Sequence, residues 1–276
     1  MSIKYAYLGP AGTFTEAALQ KIATPSDQLI AYANVTAALD AVRNGECQKA
    51  LVPIENSVEG VVARTLDELA IGQPLVITAE TTLPVSFSLM TLSDKNPAEI
   101  KSIATHPHAE SQCRSFIAKN YPNAQVIDSS STAAAAKGLS KGDYDAAIAG
   151  SNAAKNYDLK VIAENIGDNT GAITRFVLVE KPGNQPKATG KDRTSLAVFI
   201  ALDHAGALLE ILNEFAKHQV NLTFIQSRPT GSQLGHYHFI IDAEGHIEDK
   251  PISAALAGLK EICEDVRFLG SYPQAK

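Results

Sequence analysis

The chain has 276 residues, of which 45% are hydrophobic and 20% charged, and its net charge is −6. That length suits two domains of ordinary size, and the composition excludes a disordered or membrane-embedded chain. The acidic balance, with lysines and arginines dispersed, argues against a nucleic-acid partner and for small-molecule ligands.

In chain order, residues 3–8 read as a strand, and Gly9-Pro10-Ala11-Gly12 as a turn into a helix whose Thr13 and Glu16 have capping-box spacing. A strand at 28–33, a helix at 36–44 closed by Gly45 and an apolar run at 50–54 follow, then a helix at 61–70 ended by Gly72. The stretch 75–92 contains Pro84 and many β-branched residues, so it reads as two successive strands that cross between two lobes. A second α/β series has strands at 101–105, 124–127 and 145–149 and helices at 107–119 and 132–139. Strands at 159–164 and 173–180 close the domain, one or both returning to the first lobe. This alternation predicts a mainly parallel sheet.

Residues 181–192, rich in proline, glycine and lysine, form a linker. Beyond it, strands at 194–202, 221–228, 236–242 and 266–269 and helices at 206–218 and 251–263 spell βαββαβ, a ferredoxin-like module. The expected division is therefore a first domain over 1–180, with lobe 1 at about 1–76 plus 160–180 and lobe 2 at about 77–159, and a second over 193–276.

Several turns could carry chemistry. Gly9-Pro10-Ala11-Gly12-Thr13-Phe14 enters a helix whose first N–H groups suit an anion, although on spacing alone glycine for the turn and threonine for the cap is the favoured explanation. It is not a dinucleotide fingerprint. Glu55-Asn56-Ser57-Val58-Glu59 follows a buried strand at the carboxyl end of a sheet, where open α/β folds collect ligands; a helix-capping loop is the alternative. Thr105-His106-Pro107-His108 and Ser129-Ser130-Ser131-Thr132 occupy matching positions in the second series. His106 either titrates usefully or merely caps. Taken alone, Thr174-Arg175-Phe176 reads as ordinary strand. Cys47, Cys113 and Cys263 lack disulfide or zinc spacing, so neither is expected. With no targeting segment and no apolar run near the roughly 20 residues that span a bilayer, the expected location is the cytoplasm, without membrane contact.

Together these stretches, with Val52-Pro53-Ile54 and Gly60 flanking the second motif and Gln112-Cys113, Ser131-Thr132-Ala133 and Thr174-Arg175-Phe176 in the same order, resemble the prephenate dehydratases of the monofunctional type. The likeness covers nearly the whole chain. Gly206-Ala207-Leu208-Leu209, Asn221-Leu222-Thr223-Phe224-Ile225, Gln226-Ser227-Arg228-Pro229 and Leu269-Gly270-Ser271-Tyr272-Pro273 resemble an ACT domain.

The resemblance implies a two-lobed catalytic domain like a type II periplasmic binding protein, with its active site in the cleft. It further implies conversion of prephenate to phenylpyruvate without a cofactor or metal, and feedback by L-phenylalanine on a homodimer or homotetramer built through the ACT and catalytic domains. A fused helical chorismate mutase domain is not expected. Thr174, Arg175 and Glu55 are implied as catalytic, and Gly12, Thr13, Asn56, Ser57, His106, Ser131, Thr132 and Phe176 as substrate-binding. Gly206, Ala207, Leu208, Leu209, Asn221, Leu222, Gln226 and Ser227 are implied as effector-binding. Two positions depart from the family pattern: Ala172 stands where relatives carry asparagine, and Gln226 where they commonly carry glutamate. Arogenate dehydration and a non-catalytic amino-acid sensor are the alternatives.

Overall fold

The computed structural model of the chain describes residues 2–93, 96–200, 204–230 and 237–275. The expected strand ends at 201–202 and at 236 lie outside them.

The first strands and helices are β1 (Lys4–Leu8), α1 (Phe14–Gln20), β2 (Gln28–Tyr32), α2 (Val35–Arg43), β3 (Lys49–Asn56), β4 (Gly60–Val61), α3 (Ala63–Ile71) and β5 (Val76–Pro84). Next come β6 (Ser88–Thr91), β7 (Ser102–Thr105), α4 (Pro107–Gln112), α5 (Arg114–Asn120), β8 (Gln125–Asp128), α6 (Thr132–Leu139), β9 (Ala146–Ala149), α7 (Ser151–Asn156), β10 (Lys160–Ala163) and β11 (Ile173–Glu180). The remainder is β12 (Asp192–Ile200), α8 (Ala207–Lys217), β13 (Leu222–Pro229), β14 (Tyr237–Glu244), α9 (Lys250–Ile262) and β15 (Cys263–Pro273).

Three sheets result, ordered β2-β1-β3-β11-β5 with β4 beside β3, then β10-β6-β9-β7-β8, then β13-β14-β12-β15. The chain passes from the first sheet to the second after Pro84, and of the two strands expected to return only β11 does. β10 stays behind, antiparallel to β6. The second sheet is covered on both faces, because alternate residues of β9 fall in different cores: Ala146 and Ile148 in one, Ala147 and Ala149 in the other. The third sheet is antiparallel throughout, with β12 central, and its core joins Leu196, Val198, Phe239 and Ile241 to Ile211, Phe215, Ala255 and Leu259 of α8 and α9. This is the ferredoxin-like order.

Local signals acted mostly as expected. Thr13 caps α1, accepting from the Glu16 N–H at 3.3 Å, while the Glu16 carboxylate reaches one residue further than a capping box, to the Gly12 N–H at 2.6 Å. The helix expected over 107–119 is two helices broken at Cys113. The Gln112 carbonyl, which a continuous helix would engage internally, accepts instead from the Asp168 N–H at 2.6 Å, and the Asp168 carboxylate takes the Ser115 N–H at 3.2 Å. Helix α7 has no sequence signature, being six residues of small and polar character.

By density of contacts the described residues form two units: 1–38, 51–61 and 82–176; and 39–50, 62–81 and 177–276. Within the second, the third sheet meets α3 and β5: Arg228 pairs Asp67 in bidentate fashion at 2.7 and 2.8 Å, Arg193 pairs the buried Glu80 at 2.7 Å, and Arg267 donates to the Gly72 carbonyl at 2.9 Å. Among the described residues no helix is long and apolar enough to cross a membrane.

Candidate active site

A cavity of about 330 Å³ opens in the first unit, at the carboxyl ends of β1, β2 and β3. Its lining brings together three stretches that lie far apart in the chain: Pro10, Thr13 and Phe14 from the first turn, Ser130, Ser131 and Thr132 at the start of α6, and Thr174 and Phe176 from β11. Leu8, Ala33 and Pro53 make the rest largely apolar. Among the expected substrate residues, Gly12, Asn56, Ser57 and His106 are not lining residues.

Asn56 nevertheless governs the site. Its Oδ1 accepts from the Val58 and Glu59 N–H groups at 2.8 and 2.9 Å, which leaves Nδ2 to face β11, where it donates to Thr174 Oγ1 at 2.8 Å. The two backbone donors thus fix the orientation of the amide. A threonine oxygen that accepts there has its own hydrogen left to give elsewhere. Ser57 pins the start of the strand, donating from its N–H to the Ile173 carbonyl and accepting the Ile173 N–H at its Oγ, both at 2.9 Å.

Alternation along β11 sends Thr174 and Phe176 to the cavity and Arg175 to the opposite side. Arg175 is 8% exposed, with Nη1 3.8 Å from Glu55 Oε2. Neither Arg175 nor Glu55 lines the cavity.

At α1 the Thr13 hydroxyl has its hydrogen committed, donating to the Leu8 carbonyl at 3.1 Å while its oxygen accepts from the Glu16 N–H. What it presents is backbone, since the first-turn N–H groups of a helix have no partner within it. Ser131 caps α6 by accepting from the Ala134 N–H at 3.0 Å. His106 caps α4, its Nδ1 accepting from the His108 N–H at 3.2 Å, so a neutral ring carries its proton on Nε2. Burial, then the neighbouring His108, lowers the His106 pKa below 6.5, against the pull of Glu59 and Asp128. Glu59, one of these two carboxylates, accepts from Gln112 Nε2 at 2.9 Å and lies 3.5 Å from His108 Nδ1. Neither Glu59 nor Gln112 stood among the expected site residues; their link joins two segments 53 positions apart, which spacing does not reveal.

Ala172 is 1% exposed in the apolar core of the second sheet, its carbonyl accepting from the Val85 N–H at 2.8 Å, and it is not a lining residue. In the second unit, Gly206 is the N-cap of α8 at φ +100°, Leu208 and Leu209 are exposed, and Asn221, Leu222, Gln226 and Ser227 lie on or beside β13 at the sheet edge. A cavity of about 130 Å³ at the start of α8 includes Ala207 alone of the expected effector residues. Among the described residues no cluster of three or more histidine, cysteine or acidic side chains has the form of a metal site.

The prephenate dehydratase family model matches residues 5–184, and the ACT domain model residues 194–261. A prephenate dehydratase of Amycolatopsis methanolica is 46% identical over 273 residues, which cover 99% of this chain and 89% of that one. The crystal structure of a prephenate dehydratase in complex with L-Phe from Arthrobacter aurescens superposes with a TM-score of 0.92 at 49% identity, covering 98% of this chain and 90% of that one. At 27% identity and a TM-score of 0.86, a structure described as a novel type of quorum quenching acylase, GqqA, covers 98% of both chains.

Proposed function

The chain belongs to the prephenate dehydratase family, and we propose that its cavity removes carbon dioxide and water together from prephenate to give phenylpyruvate, the precursor of phenylalanine. It is a carbon–oxygen lyase with an ACT domain behind the catalytic segment. The observation that carries the reading to a mechanism is the Asn56 amide on the Thr174 hydroxyl at the cavity wall.

In this reaction the bond from the ring to its carboxylate breaks, the electron pair enters the ring, and the C–O bond on the opposite carbon releases hydroxide, which takes a proton from solvent to leave as water. Aromatisation drives the step, so the protein supplies orientation and a hydrogen bond to a poor leaving group. Thr174, its oxygen occupied by Asn56, turns its hydrogen to the departing hydroxyl. The N-terminus of α6 and the Ser131 hydroxyl, with the first-turn N–H groups of α1, receive the carboxylates. Phe176 and Phe14 pack against the ring. Arg175 and Glu55 set the charge behind β11, with Arg175 as the cation that favours a dianionic substrate. Ser57 anchors the strand, Gly12 shapes the entry to α1 and His106 the entry to α4.

For regulation, L-phenylalanine is held by the ACT domain around Gly206–Leu209 and Asn221–Leu222, with Gln226 and Ser227 on the same strand. The exposed edge strand β13, carrying the 42% exposed Ile225, suits pairing with a second copy in a homodimer or homotetramer. The expected setting is the cytoplasm. Incubating the purified chain with prephenate or arogenate and following phenylpyruvate and phenylalanine tests the assignment. Phenylpyruvate from prephenate supports it; turnover of arogenate alone, or of neither, overturns it.

A further inference from the structure

We infer that α7 and the residue after it form a strap that positions one wall of the cavity, with Asn152 and Tyr157 as positioning residues for the dehydration. The geometry stands by itself; its catalytic meaning rests on the function proposed above.

Three side chains of this short segment converge on the turn between β1 and α1. Asn152 Nδ2 donates to the Thr13 carbonyl at 2.9 Å, the Tyr157 hydroxyl to the Ala11 carbonyl at 2.7 Å, and Asn156 Nδ2 to Glu16 Oε2 at 2.8 Å. The Thr13 carbonyl also takes the first helical bond of α1, from the Ala17 N–H at 3.1 Å, so Asn152 holds the helix at its starting carbonyl. Burial and the adjacent Glu16 raise the Tyr157 pKa, which keeps its phenol a donor.

The two segments meet at backbone distance. Gly12 has φ +88°, and a Cβ there would come within 3.1 Å of the Tyr157 ring and 3.2 Å of Ala153 Cα. A Cβ on Gly150, which precedes α7, would come within 2.9 Å of the Phe14 ring.

None of Asn152, Asn156 and Tyr157 lines the cavity, so they act through the turn. The turn follows a strand of the first sheet and α7 a strand of the second, and the cavity draws its walls from the same two sources, Thr13 and Phe14 against Ser131 and Thr132. The strap therefore sets the spacing of the groups assigned to the carboxylates. Thr174 and Asn56 have no bond to it, so its loss weakens substrate binding more than the chemical step.

The test compares steady-state kinetics of Tyr157→Phe, Asn152→Ala and the double variant with Lys155→Ala, an exposed α7 residue, as control. For loss of two partly buried hydrogen bonds in the double variant, KM for prephenate should rise about tenfold while kcat changes less than about threefold, and the control should match the parent. An unchanged KM, or a kcat that falls as far as KM rises, overturns the strap. Amide exchange at residues 13–17 without substrate gives a second readout. It should quicken in the double variant, and unchanged exchange counts against the strap even if the parent does not turn over prephenate, a result that would sink only the functional reading. If the double variant does not fold, Tyr157→Phe, which keeps its ring beside Gly12, carries both measurements.

Discussion

At the scale of single residues, the hydroxyl of Thr174 is defined by what its neighbour leaves it. Asn56 uses its oxygen on two backbone N–H groups and its nitrogen on Thr174. Thr174→Ala should fold and lose turnover by about 10²- to 10⁴-fold, the range for a group aiding proton movement, while Thr174→Ser keeps most of it. Asn56→Asp is the sharper probe. A carboxylate in that place accepts instead of donating, draws the threonine hydrogen to itself, and should lower kcat at least as far as Asn56→Ala does. Arg175→Lys should also impair turnover, because a point charge does not reproduce a planar guanidinium buried beside Glu55. The polar stretches around Asn56 and Thr174 were visible in the sequence. The pairing was not, because 118 positions separate the partners.

At the scale of elements, turns and caps follow local chemistry while breaks and straps follow distant contacts. Gly45 and Gly72 end helices where expected, and Pro84 ends β5, because glycine and proline act on the backbone they occupy. The break at Cys113 depends on Asp168, a residue in another loop, so no periodicity within 107–119 could announce it. Gly12→Ala should lower stability by about 1–2 kcal/mol for the left-handed backbone alone, with more from contact with Ala153, read as a fall in Tm. In the second unit the bidentate Arg228–Asp67 pair fastens β13 to α3, each side chain less than a third exposed. Arg228→Ala should lower stability by about 1 kcal/mol in denaturant titration, and Arg228→Lys should recover only part of it.

At the scale of the whole molecule, His238 reports on the junction of the third sheet with α3. It is buried, stacks on Phe199 with ring centroids 5.0 Å apart, and among the described residues neither ring nitrogen has a hydrogen-bond partner. Burial, with Arg228 and Arg267 nearby and Asp67 opposing them, holds its pKa below 6.5. The unfolded chain therefore binds a proton that the folded chain refuses, and stability falls as pH drops below 6.5 towards the lower folded value. Thermal melts between pH 7 and 5 should show this slope, flattened in His238→Leu. Saturating L-phenylalanine, if the ACT domain holds it as proposed, should raise Tm by about 5–10 °C at a hundred times its Kd; an unmoved Tm and rate together would refute that regulation.

The sequence by itself determined most of the element order, the ferredoxin-like module and the family, because capping residues, glycine and proline punctuation and strand alternation act over a few neighbours, and the motifs stand in one order along the chain. Only the tertiary structure decided that β11 and not β10 returns to the first sheet, that Thr174 faces the cavity while Arg175 faces Glu55, and that α7 straps the first turn. Each of those outcomes rests on a contact between residues more than a hundred positions apart, or on which side of a buried strand finds a partner, and neither is written in local pattern.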